Sequence, residues 1–507
     1  MKKIAGLFCL LVQFSFAQEK ATIKIADTGQ TVISRDIYGM FSEHLGRGIY
    51  DGIYYHGQIR QDIVQALKDI HLPNLRWPGG CFADQYHWRD GIGAVGSRPK
   101  TINTTWGMVT EDNSFGTDEF MELCKKIGCQ PYIAGNVGTG SPQEMKDWIE
   151  YLNFNGTSSL SALRKANGHP EPYRVSLWGV GNESWGCGGN MRPEYYSNLY
   201  NHFAVFLPNY PGTHLMKVIS GANADDYHWT EVMMQKIDPD NAFGLSLHYY
   251  TFSTGQWNPR GSARDFNEQE YAHTLVEAEK IDTIIAHHER IMDKYDPQKK
   301  LALLVDEWGV WTDVEPGTPG YAMYQQNSMR DALVAATTLN IFNNRSDRVR
   351  GANLAQGVNV IQSLILTKGE HMLLTPTYWV FDLYKEHQDA KLLPIHIESP
   401  SYIMGKDTVK AVNASASVDK DGNMHITLVN LDAHRSIRVT TVLTKTGQTV
   451  TAQILTSARF NDINTFAQPD KVKPAIFRAA TINNKKLDVL LPPLSVVVLM
   501  IPRKLSE

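Results

Sequence analysis

The chain has 507 residues, 42% hydrophobic and 20% charged, with 49 basic and 53 acidic side chains and a formal net charge of -4. Single cores stop growing near roughly 250 to 300 residues, so this is a globular chain with room for more than one domain. Balanced charge with no block of one sign excludes a polyanion-binding surface, and nucleic acid is not an expected partner.

Residues 1–17 read as a secretory signal peptide, with Lys2 and Lys3, an apolar run from Ile4 to Phe16 and a small residue, Ala17, at the cleavage site. The run is shorter than the ~20 residues of a membrane span, so no membrane anchor is expected, and the mature chain is expected to be periplasmic or secreted. Residues 18–34, with "KATIKIADTGQTVI", are strand-like and expected to join a later sheet. Over 35–385 strands are predicted at Ile37 to Phe41, Asn74 to Trp77, Pro131 to Ala134, Val175 to Val180, Lys217 to Ser220, Gly244 to Leu247 and Leu301 to Val305. Helical segments lie between them. In "QDIVQALKDI" the residues Ile63, Val64, Leu67 and Ile70 share one face. In "TDEFMELCKKIG", Thr117 is the expected cap and Gly128 the stop. With an eighth strand near "GANLAQGVNV", the pattern predicts an α/β fold, a (β/α)8 TIM barrel. From residue 386 to 507 short β-rich runs such as "NMHITLVNL", "KLDVLLP" and "LSVVVLMIP" predict a C-terminal β-sandwich.

Beyond the signal, Cys81, Cys124, Cys129 and Cys187 form neither a disulfide framework nor a metal-binding pattern. Cys124 and Cys129 could pair in an oxidising compartment or stand as buried thiols beside a helix-to-strand turn. "HHER" at His287 lacks the second His of a zinc helix, where Met292 stands, and "DKDGN" at Asp419 reads as a hairpin turn. No cofactor or metal is implied.

The chemistry lies at two strand ends. Glu183 closes the fourth strand in "RVSLWGVGNESWG", and Glu307 the seventh in "LALLVDEWGVW". Barrel active sites form at the C-terminal ends of strands, so these acids face each other across the mouth. Two facing carboxylates, one protonated and one ionised, are what glycoside hydrolysis needs. Asp306 competes with Glu307, but strand alternation predicts that only one of the two points into the mouth.

The chain resembles the α-L-arabinofuranosidases of glycoside hydrolase family 51. The likeness runs through "IYGMFSEHLGRGIYDGI", "LRWPGGCFADQYHWRDGIG", "WGVGNESWGCGGNM", "LHYY", "LVDEWGVW" and "ANLAQGVNVIQSL". The resemblance implies a retaining, exo-acting enzyme on arabinofuranosyl oligo- or polysaccharides, with Glu183 as acid/base and Glu307 as nucleophile. It further implies sugar contacts from Glu43, Asn182 and Gln356, a positioning guanidinium at Arg76, and a small side chain against the furanose at Cys81. His248 and Tyr250 would orient Glu307 and the ring, Trp311 would form a pocket wall, and the protein would be a homo-oligomer. Gly309 and Thr312 depart from the pattern and bear on fine specificity. Two competing readings are an endo-acting β-glucanase or xylanase of the same clan and a non-catalytic carbohydrate binder.

Overall fold

A computed structural model describes residues 19–443, 447 and 449–503. The expected signal peptide lies outside them. Eight parallel strands close into a barrel in sequence order: β1 (Gly39–Phe41), β2 (Asn74–Trp77), β3 (Gln130–Gly135), β4 (Leu177–Val180), β5 (Met216–Asn223), β6 (Gly244–Thr251), β7 (Ala302–Val310) and β8 (Val349–Leu354). The strands are almost wholly buried, as expected when helices cover the outside of a parallel sheet and side chains fill the inside.

The helix Gln61–Asp69 buries Ile63, Val64, Ala66 and Leu67, the face read from its periodicity. In the helix Thr117–Ile127 the cap is Gly116, and Thr117 is the first helical residue. The Glu119 carboxylate reaches back to accept the Gly116 N–H at 2.9 Å, which satisfies the end without the Thr117 hydroxyl. Gly128 ends the helix at φ +86°, as expected.

Among the described residues the C-terminal region forms two larger sheets and a small hairpin, Ser401–Met404 with Asp407–Lys410. One pairs Val412–Val418, Met424–Asn430, Ser495–Ile501 and Thr451–Thr456 with short edge strands. In the other, the N-terminal strand Lys20–Ile25 lies between Ile395–Glu398 and Ile437–Val442. The barrel and this region meet along the helix Met329–Asn344, buried from Met329 to Asn343. Among the described residues no helix is long and apolar enough to cross a membrane.

Candidate active site

Every acid expected in the mouth lies toward the C-terminal end of a barrel strand or just after it. Glu183 follows β4, after Gly181 at φ +92°, and itself takes φ +39°, a left-handed backbone that a non-glycine residue holds at some cost. Its carbonyl accepts the N–H groups of Gly186 (2.7 Å) and Gly188 (3.1 Å), so a tight turn fixes where its side chain points. Glu307 lies within β7. A carboxylate oxygen of Glu183 and one of Glu307 lie within 4.8 Å of each other.

Two donors claim Glu307. Arg76 Nη1 donates to Oε1 at 2.9 Å and the Tyr250 hydroxyl to Oε2 at 2.8 Å. Arg76 is buried over the ring of Phe41, 4.8 Å from its centroid, and also donates to Asn182 Oδ1. Asn182 Nδ2 is buried without a partner. Gly80 lets the loop after β2 close over this group, because a Cβ there would stand 2.6 Å from Glu307 Oε1 and 3.2 Å from Phe41.

Glu183 is in different surroundings. Burial raises its carboxyl above the usual range, partly offset by His248, whose Nδ1 lies 2.9 Å from Oε1. His248 was expected to orient Glu307, but its nearest acid is Glu183; Glu307 is 3.6 Å away. Burial opposes charge on the imidazole, yet Glu307, Asp306 and Glu183 around it hold its pKa up to about 10.

Of Asp306 and Glu307 only Glu307 lines the cavity, but Asp306 does not turn outward as strict alternation would have it. Between β6 and β7, Ser246 pairs with Leu304 and His248 with Glu307, so β7 carries one residue more than its neighbour. That bulge turns Asp306 into the barrel interior too, below the mouth. There it lies 3.2 Å from His248 Nε2, accepts the Tyr132 hydroxyl at 2.8 Å and sits 3.6 Å from Arg76. Burial works against its charge, but Arg76, His248 and Tyr132 hold its pKa below the usual carboxylate range.

Glu43, after β1, is buried; its Oε1 accepts the N–H groups of Gly80 (3.0 Å) and Phe82 (2.8 Å), and Oε2 faces Gln356 Nε2 at 3.4 Å. Burial and the Glu307 charge push its pKa up to about 7. Trp311 forms a wall of the cavity, edge-on to Tyr250 at 5.0 Å. The cavity encloses about 710 Å³ and holds Glu43, Cys81, Glu183, Tyr250, Glu307, Trp311 and Gln356. Trp106 and Trp257, not singled out from the sequence, also line it. Nothing in their spacing ties these loop tryptophans to the strand ends. Gly309 lies outside that lining, packed on Gln362 at φ +145°.

Cys81 is not a free side chain. It is joined to Cys187, 106 residues away, by a disulfide that ties the loop after β2 to the turn after Glu183. Sequence spacing carries no sign of the pair, since only barrel closure brings the two loops together. Cys124 and Cys129 are both free, the first buried and the second half-buried. Cys81, Glu183 and Cys187 are close enough to share an ion, as are Glu183, His248 and Glu307. The first trio has its sulfurs bonded to each other, and the second is knit by its own ion pairs and Arg76, so neither arrangement calls for a cation.

Two family models match the chain: the α-L-arabinofuranosidase 1 domain over residues 66–261 and the α-L-arabinofuranosidase C-terminal domain over 306–495. A Bacteroides ovatus protein named intracellular exo-alpha-L-arabinofuranosidase is 47% identical over 494 residues, 95% of this chain and 96% of that protein. The chain belongs to the family 51 α-L-arabinofuranosidases. The crystal structure of the GH51 arabinofuranosidase from Xanthomonas axonopodis pv. citri matches with a TM-score of 0.93 at 46% identity, covering 96% of this chain and all of that one. The Thermotoga maritima α-L-arabinofuranosidase arabinose complex matches at 0.84 and 30% identity, with 96% of this chain and all of that one covered. The expectation of export is overturned here, because the B. ovatus relative is named an intracellular enzyme.

Proposed function

We propose that this arabinofuranosidase releases terminal arabinofuranosyl groups by double displacement, with Glu307 as nucleophile and Glu183 as acid/base. The observation that carries the reading is the separation of the two acids. Carboxyl groups about 5 to 5.5 Å apart suit retention, whereas inversion needs roughly 6.5 to 9.5 Å for an intervening water. One oxygen of Glu183 and one of Glu307 lie within 4.8 Å of each other, in keeping with the shorter separation.

Each acid has the surroundings its role needs. Arg76 and Tyr250 hold Glu307 in place with two hydrogen bonds, aimed to attack the anomeric carbon as the bond to the leaving oxygen breaks. Glu183, raised by burial, delivers its proton to that oxygen. In the second half Glu183, now ionised, takes a proton from water, and the water's oxygen displaces Glu307 from the sugar. Asn182 Nδ2 is placed to bond a ring hydroxyl, a contact that strengthens in the transition state. Arabinose-bearing plant oligo- or polysaccharides are the proposed source of the sugar, and copies of the chain are proposed to assemble, which light scattering would check.

The test compares 4-nitrophenyl α-L-arabinofuranoside with carboxymethyl cellulose. Cleavage of the first alone is expected; cleavage of the cellulose would favour an endo-glucanase. E183A should lose roughly 10²- to 10⁴-fold on arabino-oligosaccharides and far less on the aryl glycoside, which needs no proton at its leaving oxygen. Equal losses would remove Glu183 from the role.

A further inference from the structure

We infer that the Cys81–Cys187 disulfide sets the strength of the acid/base: its sulfurs leave Glu183 Oε2 without a donor, and reduction to two thiols supplies donors that weaken the acid. The inference rests on the role proposed for Glu183. Oε2 lies 3.3 Å from Cys187 Sγ and 3.8 Å from Cys81 Sγ. A bonded sulfur has no hydrogen to give, so this oxygen faces a polarisable but donor-free surface. The other oxygen is held by His248 from β6. The remaining charged and titratable groups around the carboxyl are Glu307 and Asp306 on β7, Arg76 on β2, Tyr250 on β6 and Glu43 after β1. Reduction alters none of these; it changes only the sulfurs.

The reaction is ordinary thiol–disulfide exchange with a dithiol reductant. One reductant thiolate attacks Sγ of Cys187, which is exposed, and Cys81 leaves as a thiolate. The second reductant thiol then closes its own disulfide and releases Cys187. Two electrons pass to the protein and each thiolate takes up a proton, giving two S–H groups beside Oε2. Thiols are weak donors, and donation to a carboxylate favours its charged form. A Glu183 that ionises earlier is a poorer acid above neutral pH. Neither free cysteine intervenes, because Cys124 and Cys129 lie at the opposite end of the barrel, before β3.

The test is the pH dependence of kcat/KM on an arabino-oligosaccharide, which needs leaving-group protonation. It is run on the oxidised protein, on protein reduced with dithiothreitol and shown by thiol titration to carry two more thiols, and on C81A/C187V, which keeps apolar atoms in place of the sulfurs. Reduction is expected to move the alkaline limb to lower pH, so that kcat/KM at pH 7.5 falls about threefold or more relative to pH 5. Reoxidation should restore it, and C81A/C187V should keep the limb of the oxidised enzyme. An unmoved limb in the reduced protein overturns the inference. So does a C81A/C187V limb displaced as far as the reduced one, because the covalent tether would then be what matters. If E183A retains the alkaline limb, the assignment of Glu183 fails, and this inference falls with it.

Discussion

Among single residues, Glu43 shows how the site trades stability for function. Burial beside Glu307 raises its pKa to about 7. A carboxyl raised on folding contributes its stability below the unfolded value near 4.3 and loses it as pH climbs through about 7. Above neutrality the native state is therefore weaker by about 4 kcal/mol at this one side chain. E43Q keeps the shape and can still accept the Gly80 and Phe82 N–H groups, but never ionises. Calorimetry should find E43Q melting above the parent at pH 8 and level with it at pH 4, with slower hydrolysis throughout. Equal melting at pH 8 would mean that Glu43 ionises in the folded protein without penalty. Glu43, Arg76, Glu183, Tyr250 and Glu307, which the structure gathers at one site, were legible as candidates because each lies near the end of a strand or just after one in a recognisable motif. The Cys81 bond to Cys187 was not, since nothing local in either segment encodes a partner 106 residues away.

At the level of elements, the barrel was readable because its strands are continuous apolar runs and its helices have one buried face, as in Gln61–Asp69. What the pattern could not show is register. Period-two alternation predicts that Asp306 turns away from the side on which Glu307 lies, and the bulge in β7 defeats it. As a result β7 delivers two acids inward at different heights: Glu307 to the cavity, and Asp306 to the underside of His248 and Arg76. Asp306 therefore holds His248 and Arg76, the groups that hold Glu183 and Glu307. D306N should cost about 1.5 to 3 kcal/mol of that support, seen as a roughly ten- to hundredfold loss in kcat/KM with the fold intact by circular dichroism. Its low pKa also adds stability that is present above the ordinary Asp value and lost as pH falls below it. A D306N enzyme as active as the parent would mean that the carboxyl only fills space.

On the scale of the whole molecule, the helix that follows β7 is the joint. Met329–Asn344 is buried all round, which suits a helix enclosed by protein rather than one lying on a surface. Its Asn340 Oδ1 accepts from Ser415 (2.9 Å) and Thr427 (2.7 Å), and Asn343 Nδ2 donates to Ser415 at 3.2 Å. These bonds cross from barrel to C-terminal sheet, so the sheet completes the burial of the helix that follows β7. A chain ended at residue 386 would expose that helix and is expected to aggregate or melt without cooperativity; a soluble fragment with a sharp transition would show that the barrel stands alone. The same architecture brings Glu183 and Glu307 to one cavity from strands three units apart, and double displacement by this pair is the central claim. It is tested most directly by trapping the glycosyl-enzyme with a slow fluorinated arabinofuranosyl substrate and sequencing the labelled peptide by mass spectrometry. The expected result is one sugar esterified to Glu307. A label on Asp306 or Glu183, or no covalent species while product forms, would contradict it.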